Sequence, residues 1–287
     1  MKSKLIVLEG LRDLKKDYDK RVLTEVTLIP RIDALLEDMN HELISMKGEL
    51  EIGDKARRSQ VFSASEVGLK NGKSLCGKYT MGCGRYLYYS YLGVKGTKNF
   101  DPKIRRILDT GSAVHVQLQL YILECAKREG FEAEIEVDGD PDKNEWGLSA
   151  HMDAGVRIHT PSLRVRFGVE LKSIADDGFK ATTRIHDNHL TQVTIYQVLF
   201  DLPFMLVVYY NKNNGLMAEF IHTFDRDRWR AIEDKLEMVR MASLIGEPPP
   251  HEVSYECTRC KYRAVCDPPR KTTARDTRKL FVARKEK

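Results

Sequence analysis

The amino-acid sequence predicts a mixed α/β (α+β) fold, with a central mixed sheet flanked by helices. Three observations point to it. The centre of the chain, from about residue 131 to 221, is rich in stretches of strand character. Two pairs of these stretches are joined by turn sequences, Thr160-Pro161-Ser162-Leu163 and Asn213-Asn214-Gly215. On either side of them, apolar residues recur at three and four, the spacing of one helix face.

Residues 1–58 read as a helical N-terminal extension. Leu23, Val26 and Ile29, then Ile32, Leu35, Leu36 and Met39, follow the helical period, and Pro30 is expected to break or kink the run between them. Such an extension either packs on the main body as a helical hairpin or serves as a docking or guiding arm. Residues 59–269 form the main domain. There Ser63 or Ser65 is placed to cap a short helix, and Cys83 stands just ahead of a basic, aromatic helix that contains Tyr86, Tyr88, Tyr89 and Tyr91. From Thr110-Gly111 a helix is expected to run to about Glu129, with Val114, Leu118, Tyr121, Ile122 and Cys125 on one stripe and His115 beside it.

Phe131–Val137 alternates like a strand and leads, through a Gly-Asp-Pro-Asp loop, into a hairpin formed by Leu148–Val156 and Gly168–Ile174. Asp187-Asn188-His189 is placed to cap a helix over about 188–200. Phe204–Tyr210 and Leu216–Ile221 form the second hairpin, and a helix over about 225–244 presents Trp229, Ile232 and Leu236 on its apolar face. Residues 270–287 are basic, short of apolar residues and expected to be a flexible tail.

The first hairpin is where chemistry concentrates. Within Gly168-Val169-Glu170-Leu171-Lys172-Ser173-Ile174, a period of two puts Glu170 and Lys172 on one face and Val169 and Leu171 on the other. Centring the turn between Pro161 and Ser162 sets Asp153 opposite Glu170, with Cβ atoms roughly 4.5–5.5 Å apart. Two carboxylates at that separation are able to share one hard divalent cation, such as Mg2+ at roughly 2.0–2.1 Å from its oxygens. A lysine beside that cation would orient water or neutralise charge developing on a phosphate.

With 287 residues and 42% hydrophobic content the chain can bury a real core. No run approaches the roughly eighteen apolar residues of a membrane helix, and the N-terminus lacks the pattern of a signal peptide, so the expected location is the cytoplasm. A formal charge of +5 is compatible with a polyanionic partner. Six cysteines in a reducing compartment point to metal ligands or buried thiols rather than disulfides. Cys257, Cys260 and Cys266 form C-x2-C-x5-C and need a fourth ligand to complete a zinc site or to hold an iron–sulfur cube.

In these residues the chain, over about 60–269, resembles the PD-(D/E)XK superfamily, and within it the RecB-like iron–sulfur nucleases, the group that includes the CRISPR adaptation nuclease. His115 after Gly111, Asp153, the Glu170-Leu171-Lys172 core, and Gln192 with Tyr196 stand in the family's order. Met152 and Ala150 depart from its proline and glycine, and neither departure removes a ligand. The resemblance implies a restriction-endonuclease-like core that hydrolyses phosphodiester bonds as a metal-dependent DNA exonuclease in recombination, repair or genome processing. It implies Mg2+ or Mn2+ held by His115, Asp153, Glu170 and the Leu171 carbonyl, with Lys172 positioning water and Gln192 and Tyr196 holding the lysine or a phosphate. Cys83, Cys257, Cys260 and Cys266 would bind a 4Fe-4S cluster, with zinc as the alternative, forming a C-terminal staple that leaves Cys76 and Cys125 outside. The implied partner is DNA, single-stranded or with free ends. The chain has no GxxxxGK[ST] loop, so a separate helicase, or a protein docking on the N-terminal helices, is the expected second partner. Short versions of such nucleases occur in bacteriophages, where the location would be the host cytoplasm. The competing class is a non-catalytic, zinc-stapled nucleic-acid-binding or adaptor subunit.

Overall fold

A computed structural model describes residues 4–5, 26–38, 60–68, 71–72, 81–96, 102–161, 163–251, 257–258 and 260–266. Its centre is a seven-stranded sheet built from β1 (Lys4–Leu5), β2 (Phe62–Ser63), β5 (Glu132–Gly139), β6 (Leu148–Thr160), β7 (Leu163–Ile174), β8 (Phe204–Asn211) and β9 (Met217–Thr223), while β3 (Asn71–Gly72) and β4 (Met81–Gly82) pair separately. The order runs β1-β9-β8-β7-β6-β2, with β5 also on β6. The pairs β5·β6, β6·β7 and β8·β9 are antiparallel, whereas β7·β8, β1·β9 and β2·β6 are parallel, which makes the sheet mixed.

The helices are α1 (Ile29–Asp38), α2 (Ala64–Val67), α3 (Gly84–Tyr91), α4 (Pro102–Glu129), α5 (Asp176–Ala181), α6 (Asp187–Leu199), α7 (Arg226–Ile245) and α8 (Arg263–Cys266). They lie on both faces of the sheet, and β8 shows why. Its sequence is apolar on both sides: Phe204, Leu206 and Val208 join one core, shared with Ile29 of α1 and Leu118 and Ile122 of α4. Met205, Val207 and Tyr209 join the other, shared with Leu87 of α3, Val193 of α6 and Ile232 of α7. Among the described residues, no helix is long and apolar enough to cross a membrane.

The expected hairpins are present, and the first has the expected register, from Thr160↔Leu163 to Ala154↔Val169. Four expectations differ in detail. Lys4–Leu5, read as helical, is a strand pairing with β9, because an edge of the sheet outcompetes a weak local preference. Pro30 does not break the helix it stands in but is the second residue of α1, where its missing N–H costs nothing; the expected run before Val26 lies outside the described residues. α4 begins at Pro102, eight residues before Thr110: Ile104, Ile107 and Leu108 already follow the helical period, although Ile107 and Leu108 are exposed rather than packed into the core. Asp187 does not cap α6: His186 occupies that position, and the Asp187 carboxylate faces Arg228 of α7 instead. Of the remaining extension and the basic tail, residues 1–3, 6–25, 39–59 and 267–287 lie outside the described residues, as does Cys76.

One irregularity shapes the centre. On β6, Ala150 and Met152 pack into the α6-side core, whereas Ala154, Val156 and Ile158 pack into the α4-side core, although all have even numbers. β5 changes in step, with Ile135 on one side and Val137 on the other, around Glu136, which takes a left-handed φ of 56°. The strands therefore rotate together at Asp153 and Glu136, one unpaired residue on each with the register unchanged, and this turns a buried acid toward the gap beside β7. Gly168 is required nearby because a Cβ there would meet Met152 Sδ and Met205 Sδ.

Candidate active site

The β6·β7 ladder stops at Ala154↔Val169, and beyond it residues from both faces of the sheet meet through the opening. Asp153 does not continue the ladder. Its Oδ2 accepts the Leu171 N–H at 2.7 Å, and its Oδ1 lies 3.2 Å from His115 Nδ1 on α4. In an extended strand a residue's N–H and C=O point to the same neighbour, so the Leu171 carbonyl also faces this gap. Gly111, one turn before His115, lets α4 pass close to β7, where an added Cβ would sit 3.3 Å from Ser173 Oγ.

Glu170 is 2% exposed. One oxygen, Oε1, accepts from Lys172 Nζ, and the other, Oε2, is buried with no hydrogen-bond partner. Burial pushes the Glu170 carboxyl upward, more strongly than the Lys172 ammonium pulls it down, and the Asp153 carboxylate adds to the rise. Lys172 keeps its proton because the two carboxylates outweigh the cost of its own burial.

From the opposite face, α6 contributes two residues four apart. Lys172 Nζ donates to Gln192 Oε1 at 3.2 Å, Gln192 Nε2 donates to Tyr196 Oη at 2.6 Å, and Tyr196 Oη donates to the His151 carbonyl at 2.6 Å. The lysine is thus tied through α6 to β6, and burial holds the Tyr196 phenol well above its ordinary pKa. His115, Asp153, Glu170, Leu171, Lys172, Gln192 and Tyr196 therefore form one constellation.

Sequence reasoning passed over three neighbours. Gln119, one turn after His115, donates to the Asp153 carbonyl at 3.0 Å and to Glu136, whose other oxygen faces His151. A buried glutamine on an apolar stripe was the available signal. His186 and His189 were also missed. His189 stands three residues before Gln192, on the same helix face.

Whether these residues suit a divalent cation is decided by the orphaned Glu170 Oε2. A buried carboxylate oxygen beside a second carboxylate, with only one ammonium nearby, has room for more positive charge. Even so, among the described residues no three His, Cys, Asp or Glu side chains converge closely enough to hold a metal ion as they stand. Asp153 and His115 instead satisfy each other.

Cys83, Cys260 and Cys266 lie in one neighbourhood, but among the described residues no three cysteines converge closely enough to hold a metal ion. Cys83 precedes α3, Cys260 follows Cys257 in a turn, and Cys266 ends α8. Burial raises the Cys266 thiol, Arg85 lowers it, and Cys83 and Cys260 are near enough to raise it again. Arg85 clamps this corner by donating to the Pro249 carbonyl at 2.6 Å and the Cys266 carbonyl at 3.1 Å. Glu66, buried, accepts from Tyr86, Ser90 and Lys261. Cys125 stays apart, a buried thiol pushed up to about 11 by desolvation.

No protein-family model matches the chain, and no curated protein matches its sequence. Similar solved structures exist. The protein SSO0001 is 18% identical over 86% of this chain and 98% of its own, with a TM-score of 0.44. An alkaline exonuclease from Laribacter hongkongensis is 13% identical over 66% of this chain and 90% of its own, at 0.46. A phage-related exonuclease from Haemophilus somnus 129PT is 11% identical over 66% and 96%, at 0.41. At such identities and TM-scores, these likenesses carry no conclusion about chemistry.

Proposed function

We propose that this protein is a divalent-metal-dependent nuclease that hydrolyses phosphodiester bonds of DNA. The observation that carries the reading is the buried Oε2 of Glu170, which has no hydrogen-bond partner among the described residues, on a carboxylate that feels the Asp153 charge and is paired with Lys172 through Oε1. Mg2+ or Mn2+ would be held by Asp153, Glu170, His115 and the Leu171 carbonyl, and when bound would lower the pKa of a water and polarise a phosphate. The chain's own groups do the rest. Lys172, kept protonated and steered by Gln192 and Tyr196, presents N–H donors to an attacking water or to the charge developing on phosphate oxygens. Gln119 and the Leu171 N–H fix the Asp153 backbone and carboxylate.

Exonucleolytic action at free ends, preferably of single strands, is the finer reading. We further propose that Cys83, Cys257, Cys260 and Cys266 take a 4Fe-4S cluster, with zinc as the alternative. What supports it is that Cys83 and Cys260 lie near enough to Cys266 to affect its thiol, beside the Arg85 clamp, and a four-iron cube takes one thiolate per iron. The decisive assay incubates end-labelled single- and double-stranded DNA with Mg2+, Mn2+ or chelator. Mononucleotides or short products released from ends are expected, and no cleavage with either metal would sink the reading. Anaerobically purified protein is expected to be brown, and a colourless zinc-loaded preparation would replace the cluster with zinc.

A further inference from the structure

Beside Lys172 lies a group of residues that the catalytic assignment leaves unused. Lys172 on β7 and Tyr209 on β8 are register partners of a parallel pair, so their side chains share the face covered by α6. Tyr209 Oη accepts the His186 N–H at 3.1 Å and lies 2.7 Å from His189 Nδ1. A phenol has one proton to give, and with a backbone N–H already donating to it, that proton goes to His189 Nδ1. The His189 ring must then carry its own proton on Nε2, an assignment that follows from the network. Burial together with the adjacent Lys172 and His186 drives the imidazole pKa down to about 3, so it is a neutral donor at any physiological pH. The His186 ring stacks on it, with centroids 5.4 Å apart, and fixes its plane.

Two donors with an N–H to spare therefore lie on the face covered by α6, Lys172 bonded to Gln192 and His189 one helical turn before Gln192. Among the described residues, His189 Nε2 has no hydrogen-bond partner. Lys172 Nζ uses two of its three N–H groups, on Glu170 and Gln192. Two N–H groups on one face, one charged and one neutral, near a buried carboxylate are suited to an anionic oxygen.

We propose that His189 is a substrate-binding residue that donates its Nε2–H to a non-bridging phosphate oxygen of the DNA strand held at Lys172. The proposal rests on the nuclease reading above and adds to it a residue outside the motif that suggested that reading. A neutral donor makes this phosphate contact insensitive to pH and adds nothing to the count of counterions released on binding.

Two substitutions divide the functions of the ring. His189→Asn keeps an acceptor where Nδ1 stood, for Tyr209, and loses the outer donor. His189→Gln places an amide donor where Nε2 stood and loses the acceptor. The probe is a fluorescein-labelled single-stranded oligonucleotide, with KM and kcat measured in Mn2+, Kd measured by anisotropy in Ca2+ at several salt concentrations, and Tm alongside. His189→Asn is expected to raise KM and Kd about tenfold, the loss of one hydrogen bond to a charged oxygen. Its Tm and salt slope should stay at wild-type values. His189→Gln is expected to stay within about threefold in KM while its Tm falls. A merely structural histidine gives the reverse ranking, and that result, or losses in both variants that simply track Tm, overturns the proposal. Wild-type protein that neither binds nor cuts the oligonucleotide overturns it together with the nuclease reading. Cleavage by wild type that His189→Asn leaves unchanged overturns this proposal alone.

Discussion

Two glutamates are buried in the same sheet, on opposite faces, and they are held in opposite ways. Glu219 on β9 is 1% exposed and lies on the α1 side, where the Leu28 N–H at the start of α1 donates to both its oxygens at 3.0 and 3.3 Å. Glu170 on β7 lies on the α6 side, with one oxygen on Lys172 and the other bare. Burial pushes both carboxyls upward, Glu219 to about 7. The first is a joint: backbone amides close it, and it needs nothing more. The second is a candidate site, because the fold leaves part of its charge unanswered.

The comparison breaks most sharply under substitution at Glu170. Glu170→Gln is expected to reduce cleavage about a thousandfold, on the order of 4 kcal/mol of transition-state stabilisation. Its Tm should stay within a few degrees of wild type, because burial opposes the Glu170 charge and the glutamine keeps an oxygen acceptor for Lys172. A gel assay and a thermal scan on one preparation check both halves. Glu219→Leu should do the opposite. Cleavage per folded molecule stays near wild type while stability drops by about 2–4 kcal/mol, since buried amides at the start of α1 lose their acceptor. Equal loss of activity in the two variants would dissolve the distinction.

Proton linkage sharpens it further. A carboxyl whose pKa is raised on folding holds its proton in the native state at pH values where the unfolded chain has lost it. Its contribution is complete below the unfolded value of about 4.5 and is lost as pH rises through about 7. In metal-free wild-type protein, stability measured by urea unfolding should therefore decline over that window, and Glu219→Leu should flatten part of the decline. On the proposed ligand assignment, Mn2+ competes with the proton at Glu170 and not at Glu219. It should raise Tm in wild type and in Glu219→Leu, more strongly as pH rises toward 7, and leave Glu170→Gln unmoved. The smallest effect belongs to the lysine's tether. Gln192→Ala is expected to lower kcat about tenfold, with Tyr196→Phe costing less, because Lys172 keeps Glu170 as a partner.

The contrast also marks how far the sequence could be read. The hairpin and its register were legible because Pro161 fixes the turn and the alternation of two strands admits one pairing. Glu170, Lys172, Gln192 and Tyr196 were legible because each is a polar residue set at a regular spacing in an apolar run. Glu219 looked like one more strand residue, since its partner Leu28 lies 191 positions away. The rotation at Glu136 and Asp153 left no trace either, because the alternation of buried residues along β6 runs through it unbroken. The first turns of α4 were legible in Ile104, Ile107 and Leu108, which keep the helical spacing, and were passed over because Thr110-Gly111 reads as the start of a helix.

The hydrogen bond from the Leu171 N–H to Asp153 Oδ2 has a practical use. Every other paired amide nearby in this hairpin reports the opening of a ladder, whereas this one is guarded by a side chain. Its deuterium uptake and its nitrogen resonance should follow the posture of a single carboxylate, so one peak in a spectrum becomes a gauge of whether the centre is resting or loaded.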